Sequence, residues 1–567
     1  MLKYQVDEEP LRIKEWQHAR RRGRSELTMG SFFKNKTINK ILRGSLMTVA
    51  ALGFGGIVSG AMSRAACCEV RSIFGETKLY DTFSEGWCYA VHTASTDPLK
   101  MTTVKLLANW EASKSKTNIK VRGKKYSIGK YNLGTDLERK HVEGLDNSSS
   151  EIDGFSGGHL NVRDGKKITI DLNGFNIDRK RGNDQNDDGE LINVSGNAYL
   201  RIIDSNPTVA KTIDGVGTTG GALMGGASED GAGCIHIKDG GSVRMEGGNV
   251  CCNQTNDHGG AFKTDGGSAK LFLDGVHVFH NKTRDAFLNT NGGAIYADGG
   301  RIRIRNCVFR ENKSEDYGGA IFSDEGNSYI VIEDSQFIGN EAKDDGGAVY
   351  IDRGSLRVKN TSFDRNKAGD DGGGVYINDE DGAVIRECTF VNNSANDAAG
   401  GLYINDDDVF LVECDFHNNY AGGYGGGGIY VDSMHRINVQ GIMKVYDNKG
   451  KKNRADDLFL QKGKATEAHL YSGGLLDGSK IGVRTNKKFT ALKNITQYEF
   501  EECFFSDTSD SLVKKNVKSA TDETILASVF TDAGTWIMIL MTLLILAGAA
   551  AGLVYRKRKR RKIIPKT

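Results

Sequence analysis

The sequence predicts an all-β protein: a parallel β-helix solenoid of about ten coils, with a cap at each end and a single membrane-spanning helix near the C-terminus. Three observations carry this. One phrase returns along the middle of the chain as GGAF, GGAIY, GGAIF, GGAVY, GGGVY, GGLYI and GGGIY. Its second glycines are Gly260, Gly293, Gly319, Gly347, Gly373, Gly401 and Gly427. After a first gap of 33 residues, the steps are 26, 28, 26, 28 and 26. A second phrase, an apolar residue three positions before an asparagine, keeps the same period at Phe309/Asn312, Phe337/Asn340, Phe363/Asn366, Phe390/Asn393 and Phe416/Asn419. The third observation is the uncharged run Trp536–Tyr555, followed by the basic residues 556–562.

Within a repeat, short apolar runs alternate with polar residues. Ile302 and Ile304 precede the break at Asn306-Cys307, and Phe309 resumes the run. Ile330 and Ile332 precede Asp334-Ser335 and Phe337 in the same way. Alternation over so few residues marks a short strand with one buried face. The polar pair bends the chain, and Gly-Gly forms the other corner. A unit of about 27 residues holding three short strands is too small for a propeller blade of roughly 40 to 45. It fits one coil of a parallel β-helix, with coils stacked about 4.8 Å apart. Equivalent residues then form columns, so the phenylalanines become a buried stack and the asparagines an amide ladder. Both columns read as scaffold rather than chemistry.

These GGAIY-type and F-x-x-N phrases resemble those of right-handed β-helix surface proteins, the pectin-lyase-like superfamily in the broad sense. They are similar to the repeats of polymorphic outer-membrane-type and adhesin-like bacterial surface proteins. The resemblance implies a right-handed coil. It implies little about activity, because the architecture hosts lyases, hydrolases and pure binding stalks. The phrase ITIDLNG at Ile168–Gly174 resembles the opening coil of adhesin-like members.

Composition agrees with one long solenoid, since the chain has 72 glycines against four prolines in 567 residues. The overall charge of +2 hides an acidic body between two basic ends. Nucleic acid is excluded as a partner, because phosphate contacts need clustered Lys and Arg. The ten cysteines show no zinc-ligand spacing. Cys307, Cys388 and Cys414 sit two residues before a column phenylalanine, where Ser335 stands in another coil, and read as small inward residues. A disulfide between Cys388 and Cys414, on in-register strands, would need awkward geometry.

In chain order, 1–44 is a basic segment and 45–66 an apolar signal peptide or signal anchor. Residues 77–157 form the N-terminal cap and a polar loop. Phe83, Trp87, Ala90, Val91 and Ala94 share one helical face, which suits a lid over the first coil's exposed strand edges. The β-helix occupies 158–448, interrupted by a charged insertion at 179–190 and a glycine-rich one at 214–231. A C-terminal cap (449–504) and a polar spacer (505–533) follow. The span 536–555 and the basic tail 556–567 place the C-terminus in the cytoplasm and the body outside, in the cell membrane.

No catalytic constellation emerges. Asp257, Asp316, Asp344 and Asp370 lie three residues before the repeat glycine, with Asp345 and Asp371 adjacent. Solvated turns explain them; Asp316, Asp344 and Asp370 are the calcium candidates, since hard cations take several oxygens. A catalytic site would break the repeat at one place, whereas these acids follow it. Arg301, Arg303 and Arg305 form a basic stripe that could meet an acidic glycan, with a solvated strand face as the plainer reading. His258, His277, His280 and His417 share no metal or triad spacing. The expected function is adhesin-like binding of an extracellular glycan or surface protein. The alternatives are a membrane-tethered polysaccharide lyase or hydrolase, which needs a convergent acid cluster, and a structural spacer without ligand. The irregular first coils, between about 160 and 290, are where a specific ligand is expected.

Overall fold

The computed structural model describes residues 66–507 apart from 115–116, 122–123, 129–132, 134–157, 182–188, 285–288, 325–326, 379–381, 406–407, 433–434 and 487–490. These belong to the second of two compact units, Ala65–Thr567. The expected signal segment up to residue 65, the spacer beyond 507, the span Trp536–Tyr555 and the basic tail lie outside the described residues. Among the described residues, no helix is long and apolar enough to cross a membrane.

The body is an all-β solenoid of about 11 turns. A regular coil carries four strands, one more than the sequence suggests: for example Gly300–Arg305, Val308–Arg310, Lys313–Ser314 and Ile321–Ser323. The extra strand is the two-residue piece after each ladder asparagine. Each strand pairs in parallel with its counterpart one coil on, so that Phe309 meets Phe337 and Ile302 meets Ile330. The long strands alternate as expected: Ile302 and Ile304 are buried while Arg301 and Arg303 face solvent. The polar corner works through one left-handed residue per coil, at Asn306, Asp334, Asn360, Glu387 and Glu413, with φ of 45° to 55°. The glycine corner works through close approach. A Cβ on Gly319 would sit 2.1 Å from the carbonyl oxygen of Gly347, which no side chain tolerates.

The structure moves one marker of the repeat. Val375, Leu402 and Ile429 are in register, so the glycine equivalent to Gly373 and Gly427 is Gly400, not Gly401. Asp397 thereby joins the column of Asp316, Asp344 and Asp370.

Both predicted columns form the core. Phe309, Phe337, Phe363, Phe390 and Phe416 are fully buried. Their ring centroids lie 4.9, 5.1, 4.6 and 4.3 Å apart, within 14° of parallel. The amide ladder is longer than the sequence phrase shows, running from Asn253 through Asn281 to Asn448. Each rung points the same way. Asn366 Nδ2 donates to Asn393 Oδ1 (2.9 Å) and to Phe337 O (3.0 Å), while its own Oδ1 accepts from Asn340 N and Nδ2. The last donor, Asn448 Nδ2, ends on the Asp457 carboxylate at 3.0 Å, a pure acceptor closing a chain of donors. Cys307, Cys388 and Cys414 are buried free thiols in the small inward column.

The ends are closed by different means. Helix α1 (Phe83–Thr93), capped by Thr82, lays Trp87 and Val91 into the main core. Trp110 stacks on Phe83 at 4.9 Å and donates its Nε1 to Leu133 O at 3.0 Å. Strand Thr102–Leu106 pairs in parallel with Lys167–Asp171 and in antiparallel with Cys68–Arg71, which covers the first sheet edge. At the other end, parallel pairing continues past Asn448. His469–Leu475 stacks on Arg436–Gly441, and Phe504–Ser506 on Lys480–Thr485. Lys449–Gly450, at the start of the expected C-terminal cap, is itself a strand of the corner ladder. A short helix α2 (Gln497–Glu502), held by a Thr496/Glu499 capping box, lies between the last two of these strands.

The glycine-rich insertion also differs from expectation. It overlaps an antiparallel hairpin, Ala210–Ile213 with Val216–Thr219, turned by Asp214-Gly215 with both φ positive. The rest rejoins the solenoid as Ala222–Met224, between Asn176–Asp178 and Asn249–Cys251.

Candidate functional site

Arg301, Arg303 and Arg305 all project from the outward side of one strand, as predicted. Two of the three are engaged. Arg303 pairs with Glu333 on the next coil at 2.8 Å, and Arg305 with Asp274 on the preceding coil at 2.5 Å. Arg301 lies in register with Lys270 and Tyr329 and is exposed. Such exposed pairs are screened by solvent and add little to stability.

Asp316, Asp344, Asp370 and Asp397 stack along one turn: Asp344 N donates to Asp316 O, Asp370 N to Asp344 O and Asp397 N to Asp370 O. Beside them, the Asp345 carboxylate accepts from Asp371 N at 2.8 Å, and the Asp371 carboxylate from Ala398 N at 2.7 Å. Asp344, Asp345 and Asp370, and likewise Asp370, Asp371 and Asp397, bring carboxylate oxygens within 4.8 Å of one another and could hold a divalent cation. Burial, with neighbouring carboxylates behind it, pushes Asp345 up to about 8, Asp371 to about 7 and Asp316 to about 6. Burial thus favours the protonated form of the inner acids, and a cation would have to displace those protons. An acid whose pKa rises on folding binds more protons folded than unfolded, so stability falls as pH rises between the two values. The contribution is complete below the ordinary value of 3.8 and lost as pH climbs through 7 to 8. In metal-free buffer, urea unfolding between about pH 5 and about pH 8.5 should show stability falling, and Asp345→Asn should remove about 1–3 kcal/mol of that fall.

A further column went unread in the sequence, although most of its rungs are the aromatic letter of the repeated phrase. Tyr296, Phe322, Tyr350, Tyr376, Tyr403, Tyr430 and Phe459 stack on the outside of the solenoid, with successive centroids 4.6 to 5.5 Å apart. The glycine corners cover it: a Cβ on Gly346 would lie 2.7 Å from the Cβ of Tyr350.

This aromatic column stops at Tyr296, and what replaces it is the strongest candidate site. Lys263 is in register with Tyr296, His236 with Lys263, Asn193 with His236, and Asn161 with Asn193. Four coils thus present polar side chains where later coils present aromatics. Three of these side chains, Asn161, Asn193 and His236, line one side of a cavity of about 300 Å³, completed by Arg163, Glu190, Asp230 and Lys238. The polar groups are held in place. His236 Nε2 lies 2.6 Å from Asp265 Oδ2, and Asn193 Nδ2 donates to Glu190 Oε1 at 3.3 Å. Lys263 Nζ lies 2.6 Å from Asp257, and His258 stacks on Tyr296 at 4.2 Å, which closes off the aromatic column. Burial works against the charged form of Asp265, but the hydrogen bond and charge of His236 outweigh it and keep the carboxyl below the usual range. With Nε2 on Asp265, His236 turns Nδ1 toward the Gly231 backbone at the cavity wall. Amides, carboxylates and cations around a cavity of this size can donate to and accept from hydroxyl groups on several sides. This is a break in the repeat of the kind a specific site requires. It falls in the irregular coils where a ligand was expected, not on the arginine stripe or the acidic turns.

Two family models match the chain. Residues 347–517 match the right-handed β-helix region, and residues 306–324 match the repeat of the Chlamydia polymorphic membrane protein. No curated protein and no solved structure gives a significant match. The chain therefore contains a right-handed β-helix region and one segment similar to the polymorphic-membrane-protein repeat.

Proposed function

We propose that the protein is an adhesin-like binder displayed at the cell surface, and that the polar cavity of its first coils receives a sugar unit of an extracellular glycan. The observation that carries this reading is the replacement of the outer aromatic column by Asn161, Asn193, His236 and Lys263 over four successive coils. Scaffold explains every later rung of that column and none of these. Display is supported by the polymorphic-membrane-protein-type repeat. The uncharged run Trp536–Tyr555 and the basic run after it support a single-pass anchor with the body outside. A bound calcium on the acidic turns belongs to the same proposal only as a brace.

A glycan array probed with the full chain tests the reading: retention of a defined sugar class supports it, and an array without hits favours a spacer. One observation favours an enzyme instead. His236, oriented by Asp265, has the geometry of a base beside a cavity that also holds Arg163 and Lys238. Release of unsaturated products from uronate polysaccharides would select the lyase and reject the adhesin.

A further inference from the structure

Cys252, His280 and Glu311 occupy one column at a corner of the solenoid. Each is the residue before a ladder asparagine, in the left-handed conformation with φ of 58°, 52° and 52°. Each donates its backbone N–H one coil onward, to Phe279 O, Arg310 O and Ile338 O. In later coils the same corner carries Gly339, Arg365, Asn392, Asn418 and Asp447. Glycine, asparagine and aspartate are the residues this conformation favours. Histidine shares that preference in part, whereas cysteine and glutamate do not, and the three follow one another in successive coils.

The hairpin brings a fourth group to the same place. Its Ile213 and Val216 pack on Cys251 and Phe279. Its base is pinned by Lys211 Nζ, which donates to Gly174 O at 2.7 Å, and by the Asp204 carboxylate, which accepts from Gly174 N and Gly221 N at 2.7 and 2.6 Å. Asp214, in the turn, then sets Oδ2 2.8 Å from His280 Nδ1, while His280 Nε2 lies 2.9 Å from Glu311 Oε2. A thiol sulfur, an imidazole nitrogen and a carboxylate oxygen from Cys252, His280 and Asp214 all lie within 4.8 Å of one another. The histidine that shares no metal spacing in the sequence acquires its partners through stacking.

We infer that Asp214, Cys252 and His280 bind a divalent transition-metal ion of the zinc class, with Glu311 orienting the histidine. Thiolate, imidazole and carboxylate are the ligand types zinc accepts, and three protein ligands leave a position for water. A metal on Nδ1 fixes the tautomer with the proton on Nε2, and Glu311 is placed to accept it, as outer carboxylates do for metal-bound histidines. The Cys252 sulfur would bind the metal as its thiolate. Metal binding displaces the thiol proton to solvent. The ion would fasten the hairpin to two coils of the shaft. Without an ion, the same groups would form a histidine ring hydrogen-bonded between two carboxylates.

Titrating the reduced, metal-stripped full chain with Co²⁺ separates the two. One Co²⁺ per chain is expected, with a thiolate-to-cobalt charge-transfer absorption that one Zn²⁺ abolishes by displacement. Cys252→Asn and His280→Asn use the residue the same corner carries at Asn392 and Asn418, so both should keep the wild-type circular-dichroism spectrum and lose the absorption. Glu311→Gln should weaken Zn²⁺ binding about 10- to 100-fold, and Asp344→Asn should leave it unchanged. A wild-type chain without the charge-transfer band, or a folded Cys252→Asn chain that binds Co²⁺ as tightly as wild type, would overturn the assignment.

Discussion

Replacing Asn366 by alanine is expected to lower stability by about 3–5 kcal/mol, read as a shift of the urea midpoint. The side chain is fully buried and makes four hydrogen bonds. Its loss takes one partner each from Asn340 N and Nδ2, Phe337 O and Asn393 Oδ1; Asn340 Nδ2 keeps Phe309 O and Asn393 Oδ1 keeps the backbone N–H of residue 366, and a group left unsatisfied inside the core costs about 1–3 kcal/mol, less whatever a trapped water returns. Asn366→Asp should be nearly as damaging at neutral pH. A carboxylate has no proton to offer Phe337 O or Asn393 Oδ1 and would face both as a like partial charge. Lowering the pH restores one donor, so this variant should regain more stability in acid than the wild type or Asn366→Ala does. Because solenoid stability is set by neighbouring coils, a weak middle rung should also uncouple the two halves and broaden the transition.

The second large effect is expected at Phe363. Its ring lies between those of Phe337 and Phe390, 5.1 and 4.6 Å away, and is fully buried. Alanine removes the ring and leaves a gap that adjacent coils cannot close, since their backbones are fixed by ladders on several sides. The expected cost is about 3–5 kcal/mol. Phe363→Leu, which fills most of the volume, should cost less than half of that. Equal costs for the two variants would mean that stacking geometry, not cavity formation, dominates the column.

The two columns were legible in the sequence because each rung repeats a residue type at nearly constant spacing. So was the lid: Trp87 and Val91 keep helical spacing and end in the core. What escaped depends on register rather than spacing. Asp397 was missed because the glycine marker slipped by one residue where Ala398-Ala399 replaces the usual pair before it. The outer aromatic column hid inside a phrase already counted. The polar groove could not be seen at all, since insertions separate Asn161, Asn193 and His236 unevenly, and only strand pairing shows that they continue the line of Tyr296. The hairpin at Asp214 was read as glycine-rich loop because its strands are short and its apolar residues few, and it folds by packing on Cys251 and Phe279. Local pattern therefore identifies a coil, whereas a site built from different coils needs the third dimension.

In the function proposed above, the regular columns hold the shaft together and recognition sits where the outer column breaks. The direct test is the glycan binding of the full chain carrying Asn193→Ala and His236→Ala, measured beside its unfolding midpoint. Binding should fall more than about tenfold, a loss of roughly 1.4 kcal/mol or more, while stability changes by only about 1 kcal/mol. A double variant that binds its glycan as tightly as wild type would contradict the account.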